Sequence, residues 1–131
     1  MRLLLDTHVF LWMALASDRM PDAIKAAIRS PANEVWLSAI SVWEIAIKQG
    51  RGRLALPSPA VEFVTGHRRG HGIASLPVEE GAAAHLARLP LVHADPFDRM
   101  LVCQAIEHDL TIVTSDAQIQ RYPVKTLWAV N

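Results

Sequence analysis

The 131-residue chain carries a single cysteine, so no intrachain disulfide can form, which fits a reducing compartment. Cys103 stands beside Leu101 and Val102 and reads as core packing rather than as a nucleophile. No Cys/His cluster has zinc spacing. Net charge is also missing, with 13 basic residues against 13 acidic ones. That balance argues against a protein that coats nucleic acid by net charge alone, although it leaves room for a local basic stripe. No stretch approaches the roughly 18 apolar residues of a membrane span. The opening Met1-Arg2-Leu3-Leu4-Leu5-Asp6 is too short an apolar run for a signal peptide. The expectation is a cytoplasmic protein without membrane contact. Internal repeats, low-complexity tracts and long linkers are absent, and 51% of residues are apolar. One domain over 1–131 is expected. Gly50-Arg51-Gly52 and Gly70-His71-Gly72 lack the spacing and the Lys-Ser/Thr ending of a phosphate-binding Walker loop.

What is present is an alternation of short apolar strands and helices. Strands are expected at 2–5, 34–37, 73–76 and 111–114, with a final short one at 125–128. Helices are expected at 8–16, from Pro21 through Ile28, from Ser38 or Ser41 to Gly50, and at 59–69, 78–88 and 97–109. Strand–helix alternation implies right-handed crossovers and a mostly parallel sheet with helices on both faces.

Four acids fall at the junctions of these elements. Asp6 follows the first strand. Glu44 lies about one turn into the helix after the second strand. Asp98 opens the helix after Pro96-Phe97, and Asp116 follows the strand 111–114. A parallel sheet places all strand C-termini on one edge, so these acids are expected to face one crevice. Glu44 is flanked by Val42, Trp43, Ile45 and Ile47, and Asp98 precedes Met100-Leu101-Val102, so neither belongs to a solvated face. Clustered carboxylates repel unless a cation neutralises them. Oxygen ligands without a nearby His/Cys set favour Mg²⁺ or Mn²⁺ over Zn²⁺. Such an ion suits phosphodiester hydrolysis, because it polarises the phosphoryl oxygen and lowers the pKa of an attacking water. Each acid also has a structural explanation. Asp6 and Asp98 are placed to cap helices, Glu44 to pair with Lys48 at i+4, and Asp116 to form an Asx turn.

The segments Leu3-Leu-Leu-Asp-Thr-His-Val-Phe-Leu-Trp12, Ser38-Ala-Ile-Ser-Val-Trp-Glu-Ile-Ala-Ile-Lys48, His93-Ala-Asp-Pro-Phe-Asp-Arg-Met-Leu-Val-Cys-Gln-Ala105 and Leu110-Thr-Ile-Val-Thr-Ser-Asp116 together resemble PIN domains. More narrowly, the chain resembles the VapC-type toxins of prokaryotic type II toxin–antitoxin modules. The resemblance spans essentially the whole chain, in the family's order. It implies a three-layer α/β/α sandwich and a metal-dependent ribonuclease using Mg²⁺ or Mn²⁺. Asp6, Glu44, Asp98 and Asp116 would be its acidic quartet. Asp98 is preferred to Asp95, which stands as an auxiliary acid or turn-former. Thr7, Ser41, Thr114 and Ser115 are candidates to orient carboxylates or the attacking water. The resemblance further implies an RNA substrate, a homodimer and a cognate VapB-type antitoxin that blocks the site.

Among the basic residues, Lys48, Arg51 and Arg53 are candidates for phosphate contact, and Arg99 is the expected cation beside the site. Trp12, Trp36 and Trp43 lie in apolar runs and are expected in the core. Trp12 and Met13 also sit on a helix apolar almost all round, which leaves a face for a partner. Two other readings stay open. One is a phosphatase or phosphotransferase with Asp6 as covalent nucleophile, against which position 8 is His rather than a second acid. The other is a non-catalytic RNA-binding domain of the same fold.

Overall fold

In the computed structural model, residues 1–128 are described. The leucines after Arg2 form the central strand β1 (Arg2–Leu5). It pairs in parallel with β2 (Glu34–Ser38) on one side and β4 (Thr111–Val113) on the other. β3 (Ala74–Leu76) extends the sheet beyond β2, and β5 (Thr126–Leu127) extends it beyond β4, both in parallel. The order is therefore β3-β2-β1-β4-β5. One row crosses the sheet through Ala74, Trp36, Leu4, Ile112 and Thr126.

Among the described residues seven α-helices connect the strands: α1 (Thr7–Ala14), α2 (Asp22–Arg29), α3 (Ala39–Gly50), α4 (Ala60–Gly70), α5 (Glu80–Ala84), α6 (Pro96–His108) and α7 (Ala117–Gln120). They cover both faces, and the alternation of side chains along each strand divides the core in two. Leu3 and Leu5 point into one layer, with Val9 and Phe10 of α1, Ile24 of α2, Ile45 of α3 and Val64 of α4. Leu4 points into the other, with Leu101, Val102 and Ala105 of α6 and Ile119 of α7. A central strand buried on both faces reads as a continuous apolar run, and β1 is one. The result is the expected α/β/α sandwich, and every described strand pairing is parallel.

The structure departs from the sequence expectations in three places. The helix expected at 78–88 ends at Ala84 and tightens into a 3₁₀ turn, His85–Arg88, a common way for a helix to finish. α1 stops at Ala14, and Ala16 turns left-handed at φ 52°. α7 was not anticipated, because four residues hold too little periodicity to announce a helix. Among the described residues no helix is long and apolar enough to cross a membrane.

One buried polar side chain ties the layers near the carboxyl edge. Gln104 of α6 is fully buried, accepts from the Ser38 hydroxyl and donates to the Pro77 carbonyl 3.1 Å away. Ser38 Oγ in turn accepts from the Ile40 amide at 3.0 Å and so caps α3, the helix that carries Glu44. Replacing Gln104 by Leu strands the Pro77 carbonyl and leaves the Ser38 hydroxyl without its acceptor. Gln104→Leu is expected to lower unfolding free energy by about 1–3 kcal/mol. Urea denaturation with an unchanged m-value checks this, and a loss within error of zero would contradict it.

Candidate active site at the carboxyl edge of the sheet

The strand order reverses beside β1: the chain runs outward through β2 and β3, then returns to the far side of β1 as β4. After β1 it enters α1 in one layer, and after β4 it enters α7 in the other. The two connections diverge and open a crevice at the carboxyl ends of β1 and β4. Asp6 and Asp116 stand at these two exits.

Asp6 occupies the position before α1, yet its side chain makes no capping bond. It is 3% exposed, and its Oδ2 accepts from Thr114 Oγ1 at 2.8 Å. Burial raises its pKa, the Thr114 hydroxyl partly offsets this, and the charges of Asp116 and Glu44 push it further up. Thr114 Oγ1 also accepts from the Asp116 amide at 3.0 Å, so one hydroxyl links both exits. Thr7 Oγ1 donates to Ser41 Oγ at 2.8 Å, which pins the start of α1 to α3 one turn before Glu44.

Glu44 is 4% exposed and makes the expected pair with Lys48. Its Oε2 meets Lys48 Nζ at 3.0 Å in the i,i+4 pair. Its Oε1 is buried with no hydrogen-bond partner. A buried carboxylate oxygen without a donor is costly, so this atom is available to a ligand.

Asp95 and Asp98 differ in what their side chains hold. Asp95 is the cap of α6, accepting at Oδ1 from the amides of Phe97 (2.8 Å) and Asp98 (3.2 Å). Asp98, freed from capping, turns into the crevice with its side chain 13% exposed. Its pKa is pushed up to about 8, first by burial and then by the charges of Asp95, Asp6, Glu44 and Asp116. The four junction acids thus lie within one another's fields. Asp116 caps α7 through the Gln118 amide at 2.8 Å, and one of its oxygens still faces Asp98.

His93, for which the sequence suggested no role, belongs to this crevice. Its Nε2 lies 3.1 Å from Asp98 Oδ2. One ligand atom each from His93, Asp98 and Asp116 lie within 4.8 Å of one another. The available signal was its position five residues before Asp98, in the loop that feeds the same helix.

Arg99, the expected cation beside the site, is held by partners other than the four acids. Its Nη1 donates to the Pro90 carbonyl and to Tyr122 Oη, both at 3.1 Å. Trp43 is not core but 62% exposed, edge-on to Phe97 at 6.3 Å between ring centres. With Ser41 and Glu44 facing inward, position 43 is carried outward by the helical rotation. Of the remaining candidates, Ser115, Arg51 and Arg53 are exposed. The partner face expected at Trp12 and Met13 is partly absorbed within the chain. Trp12 packs 6.0 Å from Trp128, and the Arg19 guanidinium lies 5.9 Å from its ring.

The donor set suits a divalent cation. Carboxylates that repel one another, one of them with its pKa pushed up to about 8 first by burial and then by its neighbours' charges, and an orphaned carboxylate oxygen are what such an ion relieves.

Comparisons with known proteins identify the family. The PIN-domain family profile matches residues 3–125. The ribonuclease VapC22 of Mycobacterium tuberculosis is 30% identical over 130 residues, covering 95% of this chain and 97% of that one. In fold, the chain is similar to one in the crystal structure of VapBC2 from Rickettsia felis bound to a promoter DNA fragment. That match has a TM-score of 0.71 and 13% identity, covering 98% of this chain and 100% of that one. A chain of DNA-bound VapBC from Salmonella typhimurium matches with a TM-score of 0.66 and 18% identity, covering 97% of each.

The raised pKa of Asp98 has a consequence for stability. The carboxyl titrates near 8 in the fold, against about 4 when unfolded. Between those values the folded state holds the extra proton. Its contribution is complete below about pH 4 and is lost as pH rises through about 8. In EDTA, the melting temperature should therefore decline across this interval, and Asp98→Asn should flatten the decline. Equal slopes for the two proteins would contradict the raised pKa of Asp98.

Proposed function

The chain belongs to the PIN-domain family, and from that premise we propose that it is a metal-dependent endoribonuclease, the toxin of a type II toxin–antitoxin pair. The observation that carries this reading is the meeting of Asp6, Glu44, Asp98 and Asp116 in one mutually repelling group at the carboxyl edge. The VapC22 ribonuclease, similar over nearly its full length, supports RNA as the substrate. The VapBC complexes of like fold support a VapB-type antitoxin as partner. We take residues 1–131 as one domain and the active form as a homodimer.

Asp6, Glu44, Asp98 and Asp116 would hold the cation, which is Mg²⁺ or Mn²⁺ on the strength of the carboxylate donors. When bound there, it supplies Lewis-acid stabilisation of phosphate charge and a water of lowered pKa. The chain's own groups do the positioning. Thr114 fixes the rotamer of Asp6 by holding Oδ2. The Asp95 cap keeps Asp98 clear of the α6 amides. Lys48 and Glu44 form a charged pair whose ammonium, one-third exposed, is within reach of a phosphate at the crevice mouth. Trp43, exposed beside Phe97, presents an apolar ring that suits an unpaired base.

The phosphatase alternative draws less support, because its nucleophile would be one of four clustered acids and His8 is exposed. The non-catalytic alternative leaves the clustering of acids without a use. Antitoxin-free protein is expected to cleave RNA in Mg²⁺ or Mn²⁺ and to stop in EDTA. Asp6→Asn and Asp98→Asn should abolish cleavage while circular dichroism reports an intact fold. Undiminished cleavage by both variants would sink the assignment. A trapped aspartyl-phosphate on Asp6 would move it to the phosphatase.

A further inference from the structure

We propose that His93 contributes a nitrogen ligand, beside Asp98 and Asp116, to a cation site that thereby favours Mn²⁺-class transition ions over Mg²⁺. The inference rests on the proposed metal dependence and adds a donor of a different kind to an otherwise all-oxygen set.

The spacing carries it. An octahedral ion with bonds near 2.1 Å holds neighbouring donors about 3 Å apart and opposite ones about 4.2 Å apart. His93 Nε2 and Asp98 Oδ2 are 3.1 Å apart, the separation of neighbouring donors. Asp116 completes a group spanning at most 4.8 Å, so closing it around one ion takes a side-chain shift of about half an ångström. Imidazole suits transition ions, whereas Mg²⁺ prefers oxygen donors and retained water.

The imidazole is also held at its base. The His93 amide donates to Tyr122 Oη at 3.1 Å, and the same hydroxyl donates to the His93 carbonyl at 3.0 Å. Arg99 Nη1 donates to that hydroxyl oxygen as well. One donor and two acceptor sites exhaust the hydroxyl's capacity, and Tyr122 is 3% exposed. A surface loop residue with both backbone groups fixed by a buried tyrosine is built to a position. Arg99 thereby steadies His93 through Tyr122.

The test is Mn²⁺ added to the metal-free full-length chain, read by pulsed electron paramagnetic resonance and by calorimetry. Bound Mn²⁺ should show ¹⁴N coupling that changes to the ¹⁵N pattern when histidine is ¹⁵N-labelled. His93→Gln should remove the coupling and weaken Mn²⁺ binding by about tenfold or more, with a much smaller change for Mg²⁺. His8→Gln, the nearby exposed histidine, should keep the coupling. No nitrogen coupling in the wild type overturns the proposal, and so does coupling that survives in folded His93→Gln. Should His93→Gln not fold, the labelled wild type and His8→Gln decide: a histidine coupling that His8→Gln retains supports the proposal, and one that it removes overturns it. A protein that shows the coupling but leaves RNA intact supports the ligand assignment and contradicts the ribonuclease reading. One that cuts RNA without coupling does the reverse.

Discussion

Electrostatic repulsion among buried carboxylates is the constraint on which this structure turns. A carboxylate taken out of water needs a donor or a positive charge. Here Asp6, Glu44, Asp98 and Asp116 share one crevice. Among the described residues, the positive or protonatable groups in ion-pair contact with them are Lys48 and His93. Thr114 supplies a neutral hydrogen bond to Asp6, and burial with the neighbouring charges raises the pKa of Asp6 and Asp98. A fold that tolerates this arrangement without a cation forgoes stability at the very edge where its strands end.

The rest of the molecule keeps the arrangement in register. The reversal of strand order beside β1 sends α1 and α7 into opposite layers, which opens the crevice. Leu3, Leu4 and Leu5 anchor the central strand in both cores, so the carboxylate that follows them cannot drift. Polar ties then span the elements near that edge: Thr7 to Ser41, Thr114 to Asp6 and the Asp116 amide, Gln104 to Ser38 and Pro77. Together they join chain segments distant in sequence, and each is buried or partly buried, where a hydrogen bond is expensive to lose.

Much of this was legible in the residues alone. Strand positions came within a residue or two because buried parallel strands leave apolar runs that need no alternation to be seen. The four acids were legible because strand–helix junctions project onto one edge of a parallel sheet, whatever their separation along the chain. Which of Asp95 and Asp98 caps α6 was not, since the run of residues offers both carboxylates to the same amides. Trp43 was misplaced because an apolar run says nothing of helical phase until an inward residue such as Glu44 sets it. Arg99 follows Asp98 by one residue, but adjacent helical residues diverge by about 100°, and its guanidinium meets Pro90 and Tyr122. His93 went unassigned because only the folded loop brings its ring to Asp98.

A crystal of the antitoxin-free protein soaked in Mn²⁺ decides whether these acids form one cation site. An anomalous peak is expected in the crevice, within about 2.0–2.3 Å of oxygens from at least two of the four carboxylates. A soaked crystal whose crevice stays free of anomalous density at saturating Mn²⁺, with Glu44 still paired to Lys48 and its other oxygen unmet, would contradict it.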